Sequence, residues 1–217
     1  LTKATQCWLP LCCGYEISVP ATKTFTNQVV TFLYLAYKLA GRDTAELNII
    51  PDLMSETLAM TDEAVRALVP AVNPWNDLYC LGYGATYPMA LEGALKLKEI
   101  TYVHCEGMLS TEFKHGPLSA VTQDFPVLFA AAPGDVPLIV SGINEVTCRG
   151  GRAIAIGQED ASLRANASHL ITIPAASPAI SALLAVLPLQ LLSYYMAVER
   201  GYDPDFPRNL SKTLTVD

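Results

Sequence analysis

The chain has 217 residues, 51% hydrophobic and 16% charged, a composition that excludes a disordered polypeptide and provides for a sizeable core. Fourteen Lys and Arg against 21 Asp and Glu leave a formal charge of −7, which argues against a nucleic-acid partner of the usual basic kind. An anionic ligand would have to meet cations placed locally.

The opening LTKATQCWLPLCCGYEISVP reads as the end of an element that starts earlier, so a longer protein is expected. Cys12 and Cys13 look like part of a buried run. With Cys7, Cys80, Cys105 and Cys148 they show neither zinc-knuckle nor thioredoxin-like spacing, which suits free thiols in a reducing cytoplasm. From Thr22 the apolar residues Phe25, Val29, Phe32, Leu33, Ala36 and Leu39 recur at helical spacing, with Thr22 or Thr24 as N-cap and Gly41 as terminator. Residues 44 to 70 suggest one or two connecting helices ending at a turn between Pro70 and Pro74.

Beyond that turn, short apolar runs alternate with helical stretches: LYCLG at 78–82, TYVHC at 101–105, PVLFAAA at 126–132, RAIAI at 152–156 and HLITI at 169–173. Strands separated by helices predict an α/β fold with a parallel sheet covered on both faces. Gly82, Gly84 and Thr86 mark the turn from the first strand into a helix, where open α/β sheets hold ligands. The stretch GYGATYPM lacks the glycine spacing of a dinucleotide fingerprint, so no nicotinamide or flavin is expected. Pro178 to Val198 carries no charge and is long enough to cross a bilayer; Pro188, Gln190 and the absence of flanking basic clusters favour a buried helix instead, and no membrane partner is expected.

Charge concentrates after Pro88. Glu92, Lys96 and Glu99 follow i, i+4, i+7 spacing and share one helix face, while Leu91, Leu95 and Ile100 are expected to turn toward the sheet. Such a face is either a solvated salt-bridge pair or a proton-moving base, Glu99, tuned by a neighbouring ammonium and partial burial. His115, before Gly116-Pro117, is a cap or core-edge imidazole, or an acid–base group placed beside that helix. His104 and Cys105 read as core. Lys212, between Leu210 and Leu214, belongs to a frayed tail or is delivered into a pocket as an amine nucleophile.

The segments ALEGALKLKEITY, EFKHGPL, PLQLLSYY and PRNLSKTLTVD, in that order, resemble the isomerase half of the glutamine–fructose-6-phosphate aminotransferases, which is built from two sugar isomerase (SIS) domains. EISVPATKTFTNQ resembles the close of the first of these domains, so the likeness spans essentially the whole chain. The resemblance implies a five-stranded, three-layer α/β/α SIS fold, with residues 1–40 the end of a first SIS domain, 41–69 connecting helices, 70–208 the second SIS domain and 209–217 an active-site tail. It implies that Glu99 moves a proton between C1 and C2 of the open-chain sugar, that His115 opens the ring from across a homodimer interface, that Lys212 forms a Schiff base and that Lys96 stabilises the enediol-like intermediate. Val19, Ala21 and Ser211 fall at substrate-contacting positions, two of them altered: Ala21 stands where many members have serine and Ser211 where alanine is common. Tyr83 stands where arginine is common.

The implied partner is a sugar phosphate, fructose 6-phosphate or glucosamine 6-phosphate, with no cofactor and no metal. A glutamine-hydrolysing domain and the phosphate-binding loop of the first SIS domain, which nothing in this sequence resembles, are expected as missing partners. A glutaminase-free SIS deaminase or isomerase would use the same residues, whereas a non-enzymatic sugar-phosphate-binding SIS module would not need Glu99, Lys96, His115 and Lys212 together.

Overall fold

The computed structural model describes residues 3–212. In chain order it contains α1 (Lys23–Leu39), α2 (Ile50–Val72), β1 (Asp77–Gly82), α3 (Tyr87–Thr101), β2 (His104–Leu109), β3 (Pro126–Ala130), α4 (Val136–Thr147), β4 (Arg152–Gln158), α5 (Ala161–Asn166), β5 (His169–Ile173) and α6 (Pro178–Glu199). The five strands form one parallel sheet in the order β2-β1-β3-β4-β5, as the alternation of short apolar runs and helices predicts.

Strand residues divide by parity between two cores, because successive side chains leave a strand on opposite faces. Cys80, Leu128, Ala130, Ile154 and Ile156 face a layer of α2, α3 and α6, with α1 packed outside it. Leu81, Val127, Phe129, Ala153 and Ala155 face the other way, onto Phe113, Ile139 and Ile143 of α4, and Leu163 of α5. Sheet burial on both sides explains why the strands read as continuous apolar runs rather than alternating ones.

The apolar stretch 178–198 is α6. It is long and apolar enough to cross a membrane, yet 78% of its most apolar window is buried inside the fold, between α2 and α3. Its close approach to α3 depends on Gly93, where a Cβ would sit 2.5 Å from Leu189 Cδ1 and 2.9 Å from Leu189 Cβ. Arg200, just past the end of α6, donates to the Asn73 carbonyl at 2.5 Å, Asn73 Oδ1 at 2.7 Å, the Trp75 carbonyl at 2.8 Å and the Thr101 carbonyl at 3.3 Å. One guanidinium thereby ties the ends of α2, α3 and α6 together.

Several local expectations change. The run TYVHC is not a strand from its start: α3 continues through Thr101, whose hydroxyl donates to the Leu97 carbonyl at 2.6 Å, and stops at Tyr102 in the left-handed region at φ 60°. Pro70 does not begin a turn but lies inside α2, which runs on to Val72. His104 is exposed on the edge strand β2, while Cys105, on the alternate face, is buried as expected. Cys12 is exposed and Cys13 only half-buried, because the segment before α1 lies along the surface.

Gly93→Ala should lower unfolding free energy by about 1–3 kcal/mol, since the added methyl meets Leu189 in a packed helix interface. Urea denaturation of the two proteins reads this difference directly.

Candidate functional site

The charged face of α3 points inward, not outward. Ala90, Gly93, Ala94 and Leu97 form the strip that packs on α6 and the sheet, and Glu92 and Lys96 lie alongside that strip at 8% and 3% exposure. Leu91 and Leu95, expected against the sheet, are instead 41% and 42% exposed, while Ile100 is buried as expected. The inversion follows from size: small residues allow the helices to approach closely, and whatever flanks them is buried with them.

Lys96 Nζ lies 2.5 Å from Glu99 Oε2 and 3.4 Å from Glu92 Oε1. Two carboxylates therefore share one ammonium in a region with little water. The unequal distances assign the ion pair to Glu99. Glu92 is left as the weaker partner, and its carboxyl is pushed up to about 7 by burial, which the attraction of Lys96 only partly offsets while Glu99 and Glu16 push the same way. Holding a proton on Glu92 brings the triad to neutrality, the form a low-dielectric site tolerates.

A cavity of about 330 Å³ opens over Lys96, walled by Glu16, Ser18 and Pro20 on one side and Gln190 and Tyr194 of α6 on the other. A second depression of about 450 Å³ lies on the other flank of the helix end, between Glu99, Tyr102, His104 and the tail residues Arg208 and Leu210. Both adjoin the C-terminal end of α3. The Gly82–Thr86 turn, expected to face a ligand, is at the opposite end of that helix. There the Thr86 hydroxyl bridges the carbonyls of Tyr83 and Ala130 at 2.8 and 2.9 Å and holds the turn closed.

The remaining predicted residues are distributed as follows. The exposed Lys212 ammonium donates to the carbonyl of Glu16, at the rim of the Lys96 cavity, and the exposed Ser211 precedes it. Val19 and Ala21 are half-buried in the segment over that cavity but alternate with the residues that line it, Ser18, Pro20 and Thr22. His115 is not beside Glu99. It ends a short turn, Phe113–His115, after the far end of β2, and Phe113 is buried in the core on the opposite sheet face from α3. The turn that carries His115 is thus anchored on the sheet face away from the triad.

Two wall residues were not singled out by sequence. Glu16 had a signal, an acid shortly before the helix-opening Thr22-Lys23-Thr24, whereas Gln190 read only as an interruption of an apolar helix. Its amide nitrogen is buried at the cavity wall with no hydrogen-bond partner among the described residues.

Glu92 makes stability depend on pH with a definite sign. Its folded pKa of about 7 lies above the ordinary 4.5, so its contribution is fully present below pH 4.5 and is lost as pH rises through 7. Glu92→Gln, which mimics the protonated acid, should therefore gain on the wild type by about 2–3 kcal/mol between pH 4.5 and pH 8. Paired urea titrations across that range check it, and a constant offset would refute the assignment.

A family model described as the SIS domain matches residues 72–200. The chain is 42% identical over 212 residues to a glutamine–fructose-6-phosphate aminotransferase [isomerizing] of Pyrobaculum aerophilum, covering 94% of this chain and 35% of that relative. It is 39% identical over 224 residues to the protein of the same name from Legionella pneumophila (strain Lens), covering 100% of this chain and 37% of that relative. The chain thus spans about a third of the length of these curated relatives. The solved C-terminal domain of glucosamine-fructose-6-phosphate aminotransferase from Francisella tularensis superposes with a TM-score of 0.78 at 34% identity, covering 89% of this chain and 58% of that one. Glucosamine-6-phosphate deaminase from Thermotoga maritima also superposes at 0.78, with 92% of this chain and 59% of that one covered, but at 24% identity it shares the fold alone. Matched over more than half its length, and with the parallel sheet and two helical layers described above, the chain belongs to the SIS domain family.

Proposed function

We propose that the chain carries the isomerase chemistry of a glutamine–fructose-6-phosphate aminotransferase, converting fructose 6-phosphate and ammonia to glucosamine 6-phosphate. The observation that carries this reading is the inward-facing Glu92–Lys96–Glu99 triad, with a cavity over its lysine and the Lys212 amine at the cavity rim. A solvated helix face would not bury an ammonium to 3% exposure.

In this reading the Lys212 amine condenses with the C2 carbonyl of the open-chain sugar, releasing water, and ammonia later displaces it at the same carbon. Glu99, held by the Lys96 ammonium at 2.5 Å, takes a proton from C1 and returns it to C2. Lys96 stands beside the oxyanion that develops during the shift. The backbone and side chains around Val19, Ala21 and Ser211 contact the sugar; the methyl of Ala21 offers no hydrogen bond where a serine could.

His115 opens the sugar ring from a second copy of the chain. The support is geometric: the turn that carries His115 is anchored by Phe113 in the core on the sheet face opposite α3, and His115 itself is exposed. The active unit is then a homodimer with two shared sites. Residues 70–208 act as the second SIS domain of a cytoplasmic enzyme, and a phosphate-binding SIS domain and a glutamine-hydrolysing domain complete the reaction. The identities of 34% to 42% with aminotransferases favour this over deamination, for which the likeness is one of fold.

Solvent-deuterium incorporation at C1 of fructose 6-phosphate, and at C2 of the glucosamine 6-phosphate formed from it, tests the proton shift. Exchange catalysed by the protein together with its phosphate-binding domain should fall by about a thousandfold or more in Glu99→Gln. Exchange that survives the substitution would remove Glu99 from its role. Sharing of the site is tested separately by mixing Glu99→Gln and His115→Ala chains under subunit exchange. Two inactive proteins should regain activity in the mixed dimer, and continued inactivity of a verified heterodimer would refute a shared site.

A further inference from the structure

We propose that Glu16 is a positioning residue of this site: its carboxylate clips residues 15–22 onto the start of α1, and the clipped loop both covers Lys96 and presents the carbonyl that holds Lys212. Only the consequence for Lys212 chemistry rests on the proposed function; the clip and the cover stand on geometry.

The first turn of a helix leaves several N–H groups without intrahelical partners. In α1 the N-cap residue Thr22 makes no side-chain cap. Glu16 does so from six residues upstream. Its Oε1 accepts the N–H of Thr22 at 2.9 Å and of Lys23 at 3.1 Å, with the Thr22 hydroxyl at 3.3 Å, and its Oε2 accepts the N–H of Thr24 at 3.1 Å. Burial alone would raise this carboxyl, but the donors from Thr24, Thr22 and Lys23 outweigh it and hold Glu16 below the usual carboxylate range. A negative charge at a helix N-terminus is favourable in its own right.

The cap closes a loop rather than ending one. Lys23 returns its ammonium to the Tyr15 carbonyl, so the loop is fastened on both strands. From the closed loop, two contacts reach the C-terminal segment: the Ser18 hydroxyl donates to the Pro204 carbonyl at 2.9 Å, and the Glu16 carbonyl accepts the Lys212 ammonium. The same residues roof the cavity whose floor includes Lys96. One side chain therefore fixes where the tail lysine sits and how far Lys96 is screened from water.

Competitive acetylation by acetic anhydride, with the exposed Lys114 as internal reference, reads the cover directly. In Glu16→Ala, labelling of Lys96 should rise at least tenfold over wild type. Glu16→Gln, which keeps one acceptor oxygen but sets an amide N–H against a backbone donor, should give an intermediate rise. Buried Cys80 must stay unalkylated in the same samples, which separates local opening from unfolding. Wild-type labelling of Lys96 in both variants would overturn the inference. Cyanoborohydride trapping of fructose 6-phosphate on Lys212, in protein with its phosphate-binding domain, reads the consequence and should drop at least tenfold in Glu16→Ala. Equal trapping in wild type and variant would overturn the positioning role. Absence of trapping in the wild type would instead sink the Schiff-base reading and leave the acetylation result to decide the clip.

Discussion

The burial of one ammonium between two carboxylates on α3 is the constraint on which the site depends. Taking Lys96 out of water costs several kcal/mol unless it is paired, and Glu99 at 2.5 Å and Glu92 at 3.4 Å supply that pairing. The second carboxylate overcompensates, so Glu92 retains its proton to about pH 7. A buried cluster of this kind is a poor source of stability. Its effect is to hold the Glu99 carboxylate in one orientation against Lys96.

That arrangement reaches back into the packing of the whole helical layer. Gly93 lets α6 approach α3 until Leu189 occupies the place of its missing side chain, and this approach turns the flanking charges inward. Arg200 then fixes the ends of α2, α3 and α6 with four hydrogen bonds to carbonyl and amide oxygens. The apolar length of α6, which by composition suits a bilayer, is used as the spine against which the charged helix is aligned. Hydrophobic packing and polar site are thus one design: the first determines how deeply the second is buried.

The chain ends meet over this layer. The segment before α1 and the segment after α6 are joined through Ser18, Pro204, Glu16 and Lys212, residues separated by most of the sequence. Loops that carry function on a rigid scaffold are common. Here the loop is itself capped onto a helix, so its position is tied to the scaffold rather than left to the tail.

The five strands and the parallel architecture were legible in the sequence because a sheet buried on both faces requires unbroken apolar runs, and the i, i+4, i+7 spacing placed Glu92, Lys96 and Glu99 together because helix geometry is local. Strand β2 was misjudged by three residues at its start, since Thr101 and Tyr102 suit a strand by composition but were taken by the end of α3. Local spacing could not say which way the charged face turns: Leu91 and Leu95 outrank Gly93 and Ala94 in hydrophobicity, and only the partner helix reveals that small size matters more than apolarity at that contact. Nor could it place the turn that carries His115 on the other sheet face from Glu99, because that depends on where Phe113 is buried and not on the sixteen positions that separate the two residues in number. The sequence by itself determined the class of fold and the residues of the triad, both being consequences of periodicity. Burial, pairing distance and the meeting of the chain ends were decided by tertiary structure, because each depends on what a side chain faces from a distant part of the chain.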